Sequence, residues 1–467
     1  MKRKMNGHTE HTSVLVVGLG YRTGLAAANF LHARGSRVAV SDVKSEKDLA
    51  PITGKLARGV RVFAGNQDPS ILDEGFDLLV LSPGVPQTIP LVADARRRGI
   101  PVIAEIELAY RYIRGKIIAI TGTDGKSTTT TLTGHILAEM GEHAFVGGNI
   151  GIPLISLVDR TTDESVSVVE LSSFQLETVE EFTPDVAAVL NVTPDHLDRY
   201  DGMESYFAAK MRIVKNQGVD DYLVYNLDDA RVAASASGVN ARAYSFSLSD
   251  RRADAYCEHG AVYLRTGERS ERVLEASALQ IMGVHNVQNA MAALLMVRAV
   301  FAKSGRAFDA ARAASACASF KGLAHRMERL GDFEGRLFIN DSKATTVGAV
   351  EMALRSLASQ GVLILGGRTK GDDYSRLRAV LPGRVKALVF IGESADEFAE
   401  IFKGFACEKA SSMDEAVARA MRLSAPGDAV LLSPACASFD WFKNFEERGD
   451  AFRVSFKKLG RGEIAWT

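Results

Sequence analysis

A strand that runs straight into a glycine turn, a lysine and a hydroxyl sets the tightest constraint on this chain. The apolar run Lys116-Ile117-Ile118-Ala119-Ile120 is followed by Thr121-Gly122-Thr123-Asp124-Gly125-Lys126-Ser127-Thr128 and then by a helix-compatible segment. Strand, turn and helix N-terminus together aim backbone N–H groups at an anion, Lys126 adds a point charge, and Ser127 can hold magnesium. This spacing predicts an ATP site made by Gly122, Thr123, Asp124, Gly125, Lys126, Ser127 and Thr128, inside a parallel α/β domain. The longer phosphate loop G-x-x-x-x-G-K-[ST] would need glycine at position 120, which is Ile120. The loop is the compact G-x-x-G-K-[ST] form.

The rest of the chain is written in the same alternation. Val14-Leu15-Val16-Val17, a helical stretch Gly24 to Arg34, and Arg37-Val38-Ala39-Val40 read as a βαβ unit. Comparable runs recur to Ala429–Leu432, and the region from Tyr222 to Arg272 looks like extra strands added to the middle. Since 467 residues exceed one core and a domain usually takes roughly 100 to 200, the expectation is three α/β domains. They are a Rossmann-like domain at 1–104, a central phosphate-loop domain with added strands at 105–322, and a Rossmann-like domain at 323–467.

A net charge of -1 gives no global field to draw the chain to nucleic acid or acidic membranes. The four cysteines form no CxxC pair, which argues against a disulfide framework or zinc site and fits a reducing cytoplasm. Met1 to Thr12 is polar, and no run of about 18 apolar residues occurs. A cytoplasmic monomer without membrane insertion is expected.

In a parallel sheet, ligands lie beyond the carboxyl ends of the strands. Val166 to Val169 ends in Glu170-Leu171-Ser172-Ser173-Phe174-Gln175, and Val186 to Leu190 ends in Asn191-Val192-Thr193-Pro194-Asp195-His196-Leu197-Asp198. Alone, Glu170 would be a solvated strand-end charge and His196 a helix cap. Beside a phosphate loop, Glu170 and Ser127 suit a magnesium ion bridging ATP. Gly18-Leu19-Gly20-Tyr21-Arg22-Thr23-Gly24, with Asp42 ending the next strand, is one residue too long for a dinucleotide fingerprint. A dehydrogenase is the rival that it raises.

The compact loop, Val-Glu-Leu-Ser-Ser-Phe-Gln-Leu, Asn-x-x-x-Asp-His-Leu-Asp and Leu81-Ser82-Pro83-Gly84-Val85 resemble the Mur ligase superfamily, which also includes folylpolyglutamate synthase. The resemblance implies magnesium ligands at Ser127, Glu170 and His196. It places Lys210 where the family carries a carbamylated lysine that serves a second magnesium. Read alone, Lys210 is a helix-surface lysine. Asn286 and Asn289, in Gly283-Val284-His285-Asn286-Val287-Gln288-Asn289, would face the adenine and ribose of ATP. Thr23, Asp42, Ser82, Gly84, Asn149, Ser172 and Gln175 would serve a UDP-linked substrate. Where the family often has histidine after Asp-His-Leu-Asp-x, this chain has Tyr200.

Asp341-Ser342-Lys343-Ala344-Thr345 and Ser433-Pro434-Ala435-Cys436-Ala437-Ser438-Phe439-Asp440, followed by Phe442-Lys443-Asn444-Phe445, resemble the D-glutamate-adding branch of the Mur ligases. That implies D-glutamate contacts at Thr345, Lys370, Ser438 and Phe445, with Arg326, Asp341 and Lys343 approaching ATP. Thr346 stands for the usual Asn, and Arg368-Thr369 for the commoner Asp-Gly. The implied reaction activates UDP-N-acetylmuramoyl-L-alanine as an acyl phosphate, with Lys126, Glu170, His196, Lys210, Arg326 and Lys343 as catalytic residues. Folylpolyglutamate synthase and a motion-driving P-loop ATPase stay open as alternatives at this point.

Overall fold

The computed structural model describes residues 13–195 and 199–466. Met1–Thr12, read above for a leader, and His196, Leu197 and Asp198 lie outside the described residues. The chain is α/β, with three sheets along its length, as the alternation predicts. By compactness it divides into two units, Met1–Ala278 with Val287–Ala318, and Leu279–Asn286 with Ser319–Thr467.

The first sheet is built from β1 (Ser13–Val17), β2 (Arg37–Asp42), β3 (Arg61–Ala64), β4 (Leu78–Leu81) and β5 (Val102–Ala104). Its order is β3-β2-β1-β4-β5, all parallel, which puts a topological switch between β1 and β4. Every residue of β1 is buried. Val14 and Val16 join one hydrophobic cluster while Leu15 and Val17 join another, so both faces are covered. That explains the unbroken apolar run, since a strand covered on both sides has no face left for polar residues.

The second sheet holds β6 (Lys116–Thr121), β7 (Ala144–Gly148), β8 (Val166–Glu170), β9 (Val186–Val189), β10 (Tyr222–Asn226), β11 (Arg242–Ser247), β12 (Ala255–Glu258), β13 (Ala261–Thr266) and β14 (Arg269–Glu275). Its order is β14-β13-β12-β11-β10-β9-β6-β8-β7. The added strands are thus an extension of the phosphate-loop sheet itself, and only β12-β13-β14 pair antiparallel. A short helix, Glu105–Tyr110, joins the first two sheets and is pinned by buried carboxylates. Glu107 accepts the N–H groups of Glu180, Glu181 and Phe182, and Glu105 accepts that of Ile155.

The third sheet, in the second unit, comprises β15 (Glu328–Phe333), β16 (Arg336–Asn340), β17 (Gly361–Gly366), β18 (Val385–Ile391), β19 (Cys407–Lys409) and β20 (Ala429–Leu432). The order is β15-β16-β20-β17-β18-β19, antiparallel only at β15-β16. Leu363 and Leu365 pack on one side and Val362 and Ile364 on the other. Burying such side chains stabilises by roughly 1.5–3 kcal/mol each, which fixes the strand ends that carry the polar loops. Among the described residues no helix is long and apolar enough to cross a membrane.

Candidate active site

The phosphate loop leaves β6 between the ends of β9 and β8. Gly122 and Gly125 have φ of 155° and 81°, and Gly125 opens the helix Lys126–Glu139. A Cβ on Gly125 would stand 2.5 Å from Asn289 Oδ1, so both backbone and space require glycine there. Asn191, just beyond β9, clamps the turn. Its Oδ1 accepts the N–H groups of Thr123 (3.1 Å) and Asp124 (2.8 Å), and its Nδ2 donates to the Asp124 carbonyl. Lys126 Nζ donates to the Thr123 carbonyl at 2.6 Å, lying back along the loop that it would share with a phosphate.

Glu170 ends β8 with 2% exposure. Asn149 donates through Nδ2 to its Oε1 at 2.7 Å and through its backbone N–H to its carbonyl at 2.8 Å. The other oxygen, Oε2, is buried without a hydrogen-bond partner. An orphaned carboxylate oxygen costs about 1–3 kcal/mol and suits a hard, oxygen-seeking cation. Among the described residues no cluster of three or more His, Cys, Asp or Glu gathers. Beside Glu170, hydroxyl, water and phosphate oxygens are the donors that magnesium prefers.

Lys210 corrects the surface reading, because it is 2% exposed. Its helix, Met203–Met211, turns it inward, where Nζ donates to the Gly122 carbonyl at 2.7 Å and stands 4.5 Å from the Tyr206 ring. Burial, with Lys126 nearby, pulls its pKa down to about 7. The amine is thus poised to be neutral beneath the phosphate loop.

At the first sheet's switch point, Gly24 comes one residue late yet fulfils the close-packing role. A Cβ on it would meet the Gly18 carbonyl at 2.1 Å. The Arg22 guanidinium donates to the Asn149 and Gly151 carbonyls. Thr23 begins the helix Thr23–Ala33. Asp42 is committed to the backbone, accepting the N–H groups of Leu19 (2.6 Å) and Lys44 (2.9 Å). Ser82 Oγ donates to the Gly18 carbonyl at 2.6 Å, and Gly84 is exposed with open space around it. Ser172 and Gln175 cap each other across the short helix Ser173–Leu176.

In the second unit, β16, β20 and β17 are neighbours, so the segments following them share one edge. They carry Asp341 to Thr345, Ser433 to Asp440, and Gly367 to Lys370. Asp341 accepts from Ser433 Oγ and the Met327 N–H, and burial raises its pKa to about 7. Lys343 Nζ lies 3.8 Å from the Phe445 ring, Ser438 is buried, and Lys370 is exposed. Thr345 is half-buried, and Arg326 is exposed beside His325 and Met327, both at positive φ. Asn286, buried, donates to the Met282 carbonyl.

Three stretches match known domains: residues 12–104 the Mur ligase MurD-like N-terminal domain, 120–297 the Mur ligase middle domain, and 325–436 the Mur ligase glutamate ligase domain. A UDP-N-acetylmuramoylalanine--D-glutamate ligase of Acidobacterium capsulatum is 42% identical, covering 97% of this chain and 97% of its own. That of Geotalea uraniireducens is 45% identical, over 96% and 98%. The chain is a Mur ligase. Solved relatives share the fold at low identity: the UDP-N-acetylmuramate-alanine ligase MurC of Thermotoga maritima has a TM-score of 0.59 at 18% identity, over 96% of this chain and 99% of that one. MurF from Acinetobacter baumannii has 0.59 at 17%, over 97% and 93%.

In this Mur ligase the phosphate loop, Glu170, Asn149, Asn289 and Lys210 come together, whereas His196 lies outside the described residues. Two residues to which the motifs assign no role support the site. Asn191, the first residue of Asn-x-x-x-Asp-His-Leu-Asp, clamps the phosphate-loop turn. Arg448, 1% exposed, donates to Ser342 Oγ and to the carbonyls of Ser342, Cys436 and Ala437, tying two loops of the third sheet together. Both departures at this edge have local explanations. Thr346 caps the helix Val347–Ser356, as an Asn would, and Arg368 pairs with Glu393 while its backbone bonds Ala437.

Proposed function

We propose that this Mur ligase joins D-glutamate to UDP-N-acetylmuramoyl-L-alanine at the expense of ATP, in cytoplasmic peptidoglycan precursor synthesis, as a monomer. The observation that carries the reading is the full-length likeness, at 42–45% identity, to ligases of that name. In support stands the third sheet's edge, where lysines and hydroxyls collect as a dicarboxylate amino acid needs. The working division is 1–104 for the UDP substrate, 105–322 for ATP and 323–467 for the amino acid.

A carboxylate is a poor acylating agent at neutral pH. Its oxygen attacks the γ-phosphorus, ADP leaves, and an acyl phosphate forms. The amine of D-glutamate then attacks the acyl carbon, and the tetrahedral intermediate expels inorganic phosphate. Lys126 and the N–H groups of residues 122–128 neutralise charge on the migrating phosphoryl group, chiefly by electrostatics and positioning. Magnesium, when bound, adds charge neutralisation on the phosphates. Ser127 and Glu170 would hold it, joined by His196 through the family resemblance. Asn149 keeps the Glu170 carboxylate turned so that Oε2 stays available.

Lys210 is proposed to react, as the neutral amine that burial favours, with carbon dioxide to give a carbamate that serves a second magnesium. Thr23, Asp42, Ser82, Gly84, Asn149, Ser172 and Gln175 are assigned to the UDP substrate. Asn286, Asn289, Arg326, Asp341 and Lys343 are assigned to ATP and its transferred phosphate. Thr345, Lys370, Ser438 and Phe445 are assigned to D-glutamate. Labelling the substrate carboxylate with ¹⁸O tests the acyl phosphate. One label should appear in the released phosphate, and unlabelled phosphate would contradict the mechanism.

A further inference from the structure

We infer that Glu177 is a positioning residue that couples the nucleotide-sugar side of this ligase to its phosphate loop; the inference rests on the function proposed above. Two other chain segments meet on its one carboxylate. Gln87, beyond the Ser82–Gly84 turn of the first sheet, donates through Nε2 to Oε2 at 2.9 Å. Tyr200 donates its hydroxyl to Oε1 at 2.5 Å, and the Arg199 guanidinium stands 3.5 Å from Oε2. The Glu177 side chain is only 17% exposed, so these contacts are poorly screened. It follows directly on the short helix that Ser172 and Gln175 cap, which fixes its backbone. Together with Ser82, Gln87, Phe174, Gln175 and Arg199 it lines a narrow cleft.

From Tyr200 the contacts continue inward. Its ring stacks on Phe174 at 6.0 Å and tilts against Tyr206 at 5.3 Å, while Arg199 covers Phe174 at 3.9 Å. Tyr206, 1% exposed, sets its hydroxyl 3.3 Å from Thr123 Oγ1 in the phosphate loop. A continuous path of packed rings and hydrogen bonds thus runs from the substrate turn to the phosphate loop. Glu177 is the residue where the first-sheet segment joins it. It touches no phosphate-loop residue in this path itself, so it acts through Tyr200.

Such a path carries coupling only if each ligand biases the same element, and the coupling must then be reciprocal. Calorimetric titration of the intact protein tests it, using UDP-N-acetylmuramoyl-L-alanine with and without magnesium and a non-hydrolysable ATP analogue. In the wild type the analogue should tighten the nucleotide sugar about fivefold or more, and the reverse titration should give the same factor. Glu177→Ala should bring that factor below about twofold, and Glu177→Gln, whose one carbonyl oxygen keeps an acceptor for only one of Tyr200 and Gln87, should recover part of it. Tyr200→Phe removes a single hydroxyl and carries the test alone should Glu177→Ala not fold. A glutamate of merely structural importance would weaken both ligands and leave their ratio unchanged. That result, or a wild-type factor near one, overturns the inference. A wild type that binds no nucleotide sugar at all overturns the substrate reading first, and this inference with it.

Discussion

Glu170 presents one oxygen to Asn149 and keeps the other buried and unpartnered, an arrangement that destabilises the fold unless a ligand uses it. Glu170→Gln keeps an acceptor for Asn149 and removes the charge. The expected outcome is a melting temperature unchanged or slightly raised, with kcat reduced about 100-fold or more and a raised magnesium requirement. A variant with wild-type magnesium dependence would remove Glu170 from the cation site. Glu170 stands out in the sequence because it ends an apolar strand, and Lys126 because it follows the glycine turn beyond one. Asn149 and Asn191 were not legible in these roles, because their partners lie 21 and 67 or 68 residues away and no local pattern records such a pairing. Lys210 was misread alone for a related reason. Its helix is nearly as apolar on one side as on the other, and tertiary packing decides which side turns inward.

At the scale of elements, the strand–turn–helix of the phosphate loop depends on Gly125. Gly125→Ala must hold an L-residue at φ of 81° against Asn289, which costs about 1–2 kcal/mol before any clash. Calorimetry should show ATP binding weakened about tenfold or more, with a lower melting temperature. Gly84→Ala, at ordinary φ with open space, should melt like the wild type. The helix Glu105–Tyr110 carries a pH dependence. Glu105, buried, has its pKa raised to about 7 by desolvation, against the N–H of Ile155 and the charge of Arg22. The folded state therefore holds its proton more tightly than the unfolded one. This contribution is fully present below the ordinary carboxylate range and is lost as pH rises through about 7, amounting to at most about 3 kcal/mol. Denaturant titrations of wild type and Glu105→Gln should diverge between pH 5 and pH 8, with the variant gaining relative stability as pH rises. Parallel stability curves would contradict the assignment. Element types were readable from the sequence because strands covered on both faces leave unbroken apolar runs. That the strands from Tyr222 onward belong with the phosphate-loop domain was readable from the sequence, whereas their order in the sheet was not, since β9, β10 and β11 pair across intervening helices.

For the whole molecule, three sheets each place polar loops at their carboxyl ends, and a net charge of -1 means that the anionic ligands must be held at those loops. The phosphate loop speaks for ATP and the third sheet's edge for the amino acid. These two parts of the reading rest on residues some two to three hundred positions apart in sequence. A single assay joins them: ADP release measured with each substrate omitted in turn, with the product mass determined. Continuous ADP release over many turnovers should require UDP-N-acetylmuramoyl-L-alanine and D-glutamate together, and should be accompanied by a product heavier by one amide-linked glutamate. ADP formed at the same rate without either one would contradict the proposed function.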